Sequence, residues 1–357
     1  MTLPSLPGVL DGPQVAATAA SIRRVQLADG SVPWAPGAHT DVWNHVEAAM
    51  AMLVGGEVVA AERAYDWCLA TQRADGSWPM RFHDGLVDDP STETNMNAYL
   101  AVGVWHHWLV RRDLAFVRRC WPAVRRGLDV VVGLQLPFGG IAWSRAEGGA
   151  VDADALVAGS SSVHHALAAG LALGNLLDDR QPEWELAAGR LRHALRRHRD
   201  LFLDKSTYSM DWYYPVLGGA VRGDEAGALL HTRWDDFVVP GLGILCVDTN
   251  PWVTGAETCE LVLALDTLGD RDRALRLLTD VQHLRGDDGG YWTGYVYPDE
   301  AFWPVEHTTY TSAAVVLAVD ALSRTTGGSG IFRGETLPLA SGEIGLECGC
   351  EAAFSSR

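Results

Sequence analysis

Gln72-Arg-Ala-Asp-Gly-Ser-Trp78 closes a helix-like run, and the same order of glutamine, glycine and tryptophan returns three more times in the chain. The other copies are Gln26-Leu-Ala-Asp-Gly-Ser-Val-Pro-Trp34, Gln135-Leu-Pro-Phe-Gly-Gly-Ile-Ala-Trp143 and Gln282-His-Leu-Arg-Gly-Asp-Asp-Gly-Gly-Tyr-Trp292. A glycine that leaves a helix through positive φ, followed by a tryptophan that folds back as an apolar plug, is a helix-stop element. Its recurrence predicts a fold built by repeating one helical unit, with Trp34, Trp78, Trp143 and Trp292 in equivalent places.

Working outward, apolar residues recur at helical spacing through 41–54, 58–73, 93–111, 114–134, 161–177, 183–199, 224–235, 254–268, 270–284 and 307–324. Asp11-Gly-Pro-Gln14 caps a further helix that reaches Gln26. Gly55-Gly56 and Gly269-Asp270 suit tight turns between antiparallel helices. Paired segments of this kind predict an all-α fold, a closed (α/α)6 toroid in which six helical hairpins make a double ring of about twelve helices. No alternating strand series stands out; Phe237-Val-Val-Pro240 and Tyr291-Trp-Thr-Gly-Tyr-Val-Tyr297 read as loop ribbon. One domain is expected over 1–325. The Gly/Ser-rich stretch 326–357 is expected to be a tail that wraps the barrel or stays mobile.

The 45 acidic residues outnumber the 28 basic ones for a formal charge of −17, which opposes a nucleic-acid backbone or an anionic membrane surface. The start, Met1-Thr-Leu-Pro-Ser-Leu-Pro-Gly8, lacks the charged and apolar regions of a signal peptide, and no run of about 18 apolar residues follows. A cytoplasmic protein with no membrane insertion is expected. Of six cysteines, Cys68, Cys120, Cys246 and Cys259 lie in apolar helical stretches and read as small buried hydrophobes. Cys348-Gly-Cys350 is a loose pair in the tail.

Two resemblances follow from the repeats. The segment from Ala60 to Trp78 resembles the glutamine–tryptophan repeat of terpenoid cyclases and protein prenyltransferases, and the chain is similar to actinobacterial single-domain proteins commonly labelled prenyltransferase. The same segment, with Arg112-Asp-Leu-Ala-Phe-Val-Arg-Arg-Cys-Trp-Pro-Ala-Val-Arg-Arg-Gly-Leu-Asp129, also resembles the helical hairpins of six-hairpin glycosidases such as glucoamylases and debranching enzymes, over roughly 40–322. Both resemblances imply an α/α toroid. The catalytic signatures of neither family transfer in place. Val151-Asp-Ala-Asp154 is two carboxylates short of the cyclase acid motif, and Glu257, Cys259 and His307 make a poor zinc set because residues i and i+2 face different sides of a helix. The glucoamylase acid matches Ser144, with Glu147, Asp152 and Asp154 downstream; its base falls near Trp292–Tyr295, where no carboxylate stands, although Asp299, Glu300 and Glu306 follow. No cofactor and no metal are expected.

The loops that lead into the inner helices collect polar and aromatic residues at one mouth of such a barrel: His39–Glu47, Ser91–Asn97, Ser160–His165, Tyr208–Tyr214, Trp252–Glu257 and Trp303–Tyr310. Aromatic walls edged by carboxylates, amides and imidazoles suit a sugar, whose apolar faces stack while its hydroxyls take hydrogen bonds; aromatic walls also suit a carbocation. The density of charged groups favours a saccharide substrate over an isoprenoid. A prenyl-transferring or cyclising enzyme and a non-catalytic sugar-binding protein stand as the alternatives. A glycosidase needs one carboxylic acid and one carboxylate. Asp211, Glu257 and Glu306 are the first candidates, two of them expected in one cavity, with Glu257 beside Trp252 and Glu260 as the expected acid. Asp41, Glu93 and the His164-His165 pair come next. Asp41, Trp43, His45, Glu93, Asn95, His164, Trp212, Tyr213, Trp252, Trp303 and Tyr310 are the expected substrate-binding residues.

Overall fold

The computed structural model describes residues 2–338. Its helices are α1 (Gly12–Val25), α2 (Val42–Val54), α3 (Val58–Thr71), α4 (Thr94–Ala98), α5 (Leu100–Arg111), α6 (Leu114–Val132), α7 (Val157–Leu176), α8 (Pro182–Arg197), α9 (Ser209–Leu217), α10 (Gly223–Thr232), α11 (Trp234–Phe237), α12 (Gly255–Thr267), α13 (Arg271–Asp280) and α14 (Thr309–Ser323). Six inner elements touch in a closed cycle: α2, α5 with its short forerunner α4, α7, α9, α12 and α14, which returns to α2. Outside them lie α1, α3, α6, α8, α10 and α13, each packed on an inner neighbour. This is the (α/α)6 toroid. The inner helices α2, α7, α12 and α14 are apolar nearly all round, as a helix walled in on every side must be, whereas the outer α6 and α8 bury only one stripe. Among the described residues no helix is long and apolar enough to cross a membrane.

The repeat is real, but its parts differ from the expectation. Gln26, Gln72 and Gln135 each donate through Nε2 to the carbonyl of the glycine four residues on, Gly30, Gly76 or Gly139, and to a carbonyl of the next outer helix, Ala60, Ala123 or Ala187, all at 2.9 Å. One side chain thereby closes its own turn and staples it to the adjacent hairpin. The three glycines have φ of +99°, +90° and +101°, and a Cβ on any of them would come within 2.5–2.7 Å of the carbonyl oxygen of Arg63, Arg126 or Arg190. Only glycine meets both demands.

The residue two places after each glycine, Val32, Trp78 or Ile141, is the buried plug. Its N–H donates to a side chain four residues past the N-cap of the following inner helix: His45 Nδ1 at 3.0 Å, Asn97 Oδ1 at 2.9 Å and Ser160 Oγ at 3.4 Å. Tyr291 and Ile244 repeat the bond to Ser312 Oγ and Thr258 Oγ1. The four tryptophans are therefore not equivalent: Trp78 is a plug, while Trp34, Trp143 and Trp292 lie beyond theirs, and Trp143 is exposed. In the fourth copy Gln282, in the 3-10 turn after α13, donates back to Leu278 of α13, and Arg285 stands at the stapling position.

The loops at the N-terminal ends of the inner helices carry more β-structure than expected. Two-stranded pairs join β1 (Arg81–His83) to β2 (Leu86–Asp89) and β3 (Thr92–Glu93) to β4 (Ser144–Arg145). A five-stranded antiparallel sheet runs in order through β5 (Val238–Val239), β6 (Gly243–Leu245), β7 (Trp252–Thr254), β8 (Gly294–Val296) and β9 (Ala301–Phe302). The two segments read as loop ribbon are thus parts of one sheet. At the opposite end residues 326–338 close the barrel: Ile331 and Phe332 are buried, Arg333 reaches Asp266 at 2.6 Å and Thr326 is tied to Asp320. Cys348 and Cys350 lie outside the described residues.

Candidate active site

Six inner helices begin at one mouth, so their positive dipole ends converge there and favour carboxylates. Asp41 is the N-cap of α2 and Glu93 that of α4; Glu257 stands in the first turn of α12. Asp41 is buried and accepts from the Asn44 N–H at 2.9 Å and from Asn44 Nδ2 at 2.6 Å; burial raises its pKa. Glu93 is also buried, which pushes its carboxyl up to about 7, with the negative charge of Asp41 adding to the rise. One Glu93 oxygen accepts from the Met96 N–H at 2.6 Å. The other faces the space beside Gly159, where a Cβ would sit 3.9 Å from Oε1 and 3.8 Å from the Asn95 side chain. Asn95 Oδ1 is buried there without a donor. A carboxyl oxygen of Glu93 and the side chain of Asn95, whose amide oxygen has no partner, thus both stand beside Gly159.

Below the mouth, tyrosines surround two carboxyl groups that were not among the expected site residues. Glu260 Oε1 accepts from Tyr214 at 2.6 Å and Tyr310 at 2.7 Å, and Oε2 accepts from Tyr213. Glu47 accepts from Tyr99 at 2.5 Å. Burial pushes Glu47 up to about 7, and burial with the charges of Glu47 and Glu257 pushes Glu260 up to about 8. They line an axial cavity of about 10 Å³, shared with Trp43, Ser162, Leu263 and Phe332. That is room for about one water molecule and not for a sugar ring. The pair builds the bottom of the barrel. An acid set inside an apolar run, Glu47 alone in Val42–Val54 and Glu260 one turn after Glu257 in Gly255–Thr267, was the signal that could have found it.

The expected residues divide into groups. Trp43 packs on Tyr99 at 4.6 Å and Tyr310 at 5.4 Å, Trp34 lies 5.5 Å from Tyr310, and the Trp34 indole donates to Glu306 at 2.8 Å, which ties Glu306 to the mouth. Trp252 donates through its indole to the Trp303 carbonyl at 2.7 Å; the two rings meet edge to face at 5.0 Å, and Trp303 is 55% exposed. Trp292 stacks on Phe302 at 4.9 Å beside them. Glu257 is half-buried one turn above Glu260, with the Cys246 thiol beside its carboxylate.

Asp211 is not brought to this group. It accepts from the Ala158 N–H at 3.3 Å in a separate cleft of about 520 Å³ with Arg199, Lys205 and Arg233, and burial pushes it up to about 6. Glu306 also borders a cleft of its own, about 730 Å³, with Asp288 and His307. His45 accepts from the Val32 N–H and donates from Nε2 to the Ala64 carbonyl at 2.7 Å, a fixed neutral tautomer held down to about 4, so it serves the repeat and not a ligand. Trp212 stacks on Phe237 at 5.4 Å in the packing between hairpins. His164 donates from Nδ1 to Gly218 at the closed end. Cys259 is buried in the core while His307 pairs with Asp288, and the described residues hold no group of three or more metal-ligating side chains.

No family model matches the sequence. The chain is 52% identical over 355 residues, 99% of its length and 98% of the other, to the MMP endo-(1,4)-3-O-methyl-α-D-mannosidase of Mycolicibacterium hassiacum. Among solved structures it is similar to a wild-type glycosidase, with a TM-score of 0.69 at 17% identity over 88% of this chain and 96% of that one. It is also similar to the cellobiose 2-epimerase of Spirochaeta thermophila, with a TM-score of 0.63 at 12% identity over 88% and 96%. Both structural likenesses agree with the α/α toroid. The prenyltransferase resemblance finds no support among these relatives.

Proposed function

Because the chain belongs to the same family as the Mycolicibacterium hassiacum mannosidase, a glycosidase family, we propose that it hydrolyses internal (1→4) bonds between 3-O-methyl-α-D-mannose units. The observation that carries this reading is the 52% identity over practically the whole of both chains. The mouth supports it: methyl ethers make a sugar face more apolar, and Trp252, Trp292, Phe302 and Trp303 offer half-buried to exposed rings to such a face.

In the proposed reaction Glu93, protonated near neutrality, donates its proton to the glycosidic oxygen as the bond to the anomeric carbon breaks. Glu257, at the positive end of α12, takes a proton from the water that attacks that carbon. Asp41 raises the proton affinity of Glu93, and Asn95 Oδ1 accepts a substrate hydroxyl. Asp211 has no part in this step. The test is incubation of the purified protein with a (1→4)-linked 3-O-methyl-α-mannose oligosaccharide and mass analysis of the products. Internal cleavage yields two shorter oligosaccharides from the first turnover. Release of monosaccharide alone, or an intact substrate, sinks the proposal.

A further inference from the structure

The end of the barrel away from the mouth holds a second cavity, of about 560 Å³, between α7, α8, the turn after α9 and residues 333–338. Arg192 and Arg222 reach into it without a carboxylate partner. The Arg192 Nε donates to the Ala220 carbonyl at 3.3 Å, and Arg222 donates to the carbonyls of Val216 at 3.1 Å and Phe332 at 2.8 Å. Burial and the neighbouring charge of Arg192 pull Arg222 down to about 10, so its guanidinium remains cationic at neutral pH. Gly219 and Gly334 flank the Arg222 guanidinium at distances where a side chain would cover it.

His165 lines the same cavity, 3% exposed, with no partner for either ring nitrogen, and stacks on Phe332 at 5.2 Å. A neutral imidazole keeps one N–H to donate. The other charges at this end are accounted for. Arg333 is bound by Asp266 and Glu335, and Arg180 at the rim faces Glu185 at 3.6 Å. Two half-buried guanidiniums without a carboxylate partner, in a chain of net charge −17, leave room for something anionic to complete them.

We infer that this cavity is a binding site for a small anion bearing a phosphate or carboxylate group, clamped by Arg192 and Arg222 and reached by the His165 N–H. Forked guanidinium donors match the planar oxygens of either group. The site is separate from the mouth and does not depend on the proposed hydrolysis.

Thermal unfolding of the full-length protein tests it, with inorganic phosphate in one arm and citrate in the other, each against chloride at matched ionic strength. Phosphate or citrate at ~100 times its dissociation constant raises Tm by about 4 °C. Arg222→Gln and Arg192→Gln each abolish the rise, as does the milder Arg222→Lys, which keeps the charge but loses the fork. The response of one arm alone identifies the ligand group. No rise over chloride in either arm up to 50 mM, or an undiminished rise in all three folded variants, overturns the assignment.

Discussion

Replacing Glu260 with glutamine should change how stability depends on pH far more than stability itself. A carboxyl raised from 4.5 to about 8 by burial binds its proton more tightly in the folded chain than in the unfolded one. At 1.36 kcal/mol per pH unit the difference amounts to roughly 5 kcal/mol. The sign follows from the raised value: the contribution is fully present below pH 4.5 and is lost as pH rises through about 8. Glutamine mimics the protonated acid. Its oxygen can accept from Tyr214 and Tyr310, and its amide can donate to the Tyr213 oxygen. At pH 5 the two proteins should therefore unfold within about 1 kcal/mol of each other. At pH 9.5 the variant should be the more stable by several kcal/mol, about 7 °C in Tm for a chain of this length. Glu47, raised to about 7, gives both proteins the same background. Thermal unfolding at half-unit steps from pH 5 to 9.5 is the assay. Curves that run parallel over that range would refute a neutral Glu260, and a variant already several kcal/mol weaker at pH 5 would refute the hydrogen-bond argument.

The repeat offers sharper structural tests. Gly76→Ala adds a Cβ at φ +90° and 2.7 Å from the Arg126 carbonyl and should cost about 2–4 kcal/mol, whereas Gly227→Ala, in α10 with open space around it, should gain up to about 1 kcal/mol; differential scanning calorimetry of both separates strain from a general intolerance of substitution. Asn97→Ala leaves the buried Trp78 N–H without an acceptor and should cost about 1–3 kcal/mol in urea unfolding; an unchanged midpoint would mean that this bond contributes nothing. If Glu93 supplies the proton, kcat should fall about tenfold per unit as pH rises through about 7, and Glu93→Gln should remove that limb with most of the turnover; a limb that persists in the variant assigns it to another group.

The architecture was legible because its punctuation is chemical. Gln72 and Gly76 announce a turn that only those residues can make, and the same pair at 26/30 and 135/139 announces a repeat. What misled was the tryptophan, the most conspicuous letter in each copy and not the equivalent one, since Val32 and Ile141 plug their turns as well as Trp78 does. The five-stranded sheet escaped notice because its strands, Val238–Val239 and Trp252–Thr254 among them, are two or three residues long and cannot show alternation.

The site was legible only by position. Counting from helix starts located Asp41, Glu93, Glu257, Trp252 and Tyr310 at or beneath the mouth. It could not tell a side chain aimed at the axis from one aimed at the next hairpin, as His45 and Trp212 are. Glu47 and Glu260 were hidden for the opposite reason: they lie a turn or more inside helices whose composition reads as core.

Steady-state hydrolysis of a 3-O-methyl-α-mannose oligosaccharide by Glu257→Gln beside Glu260→Gln asks most directly which carboxylates do the chemistry, the two residues being one helical turn apart on α12. Loss of a general base at the mouth should cost kcat at least 100-fold, while the residue beneath it, walled off in a cavity of about 10 Å³, should keep kcat within about tenfold at pH 6. A folded Glu260→Gln protein without activity, or a Glu257→Gln protein that retains it, would contradict the account and move the reaction to the bottom of the barrel.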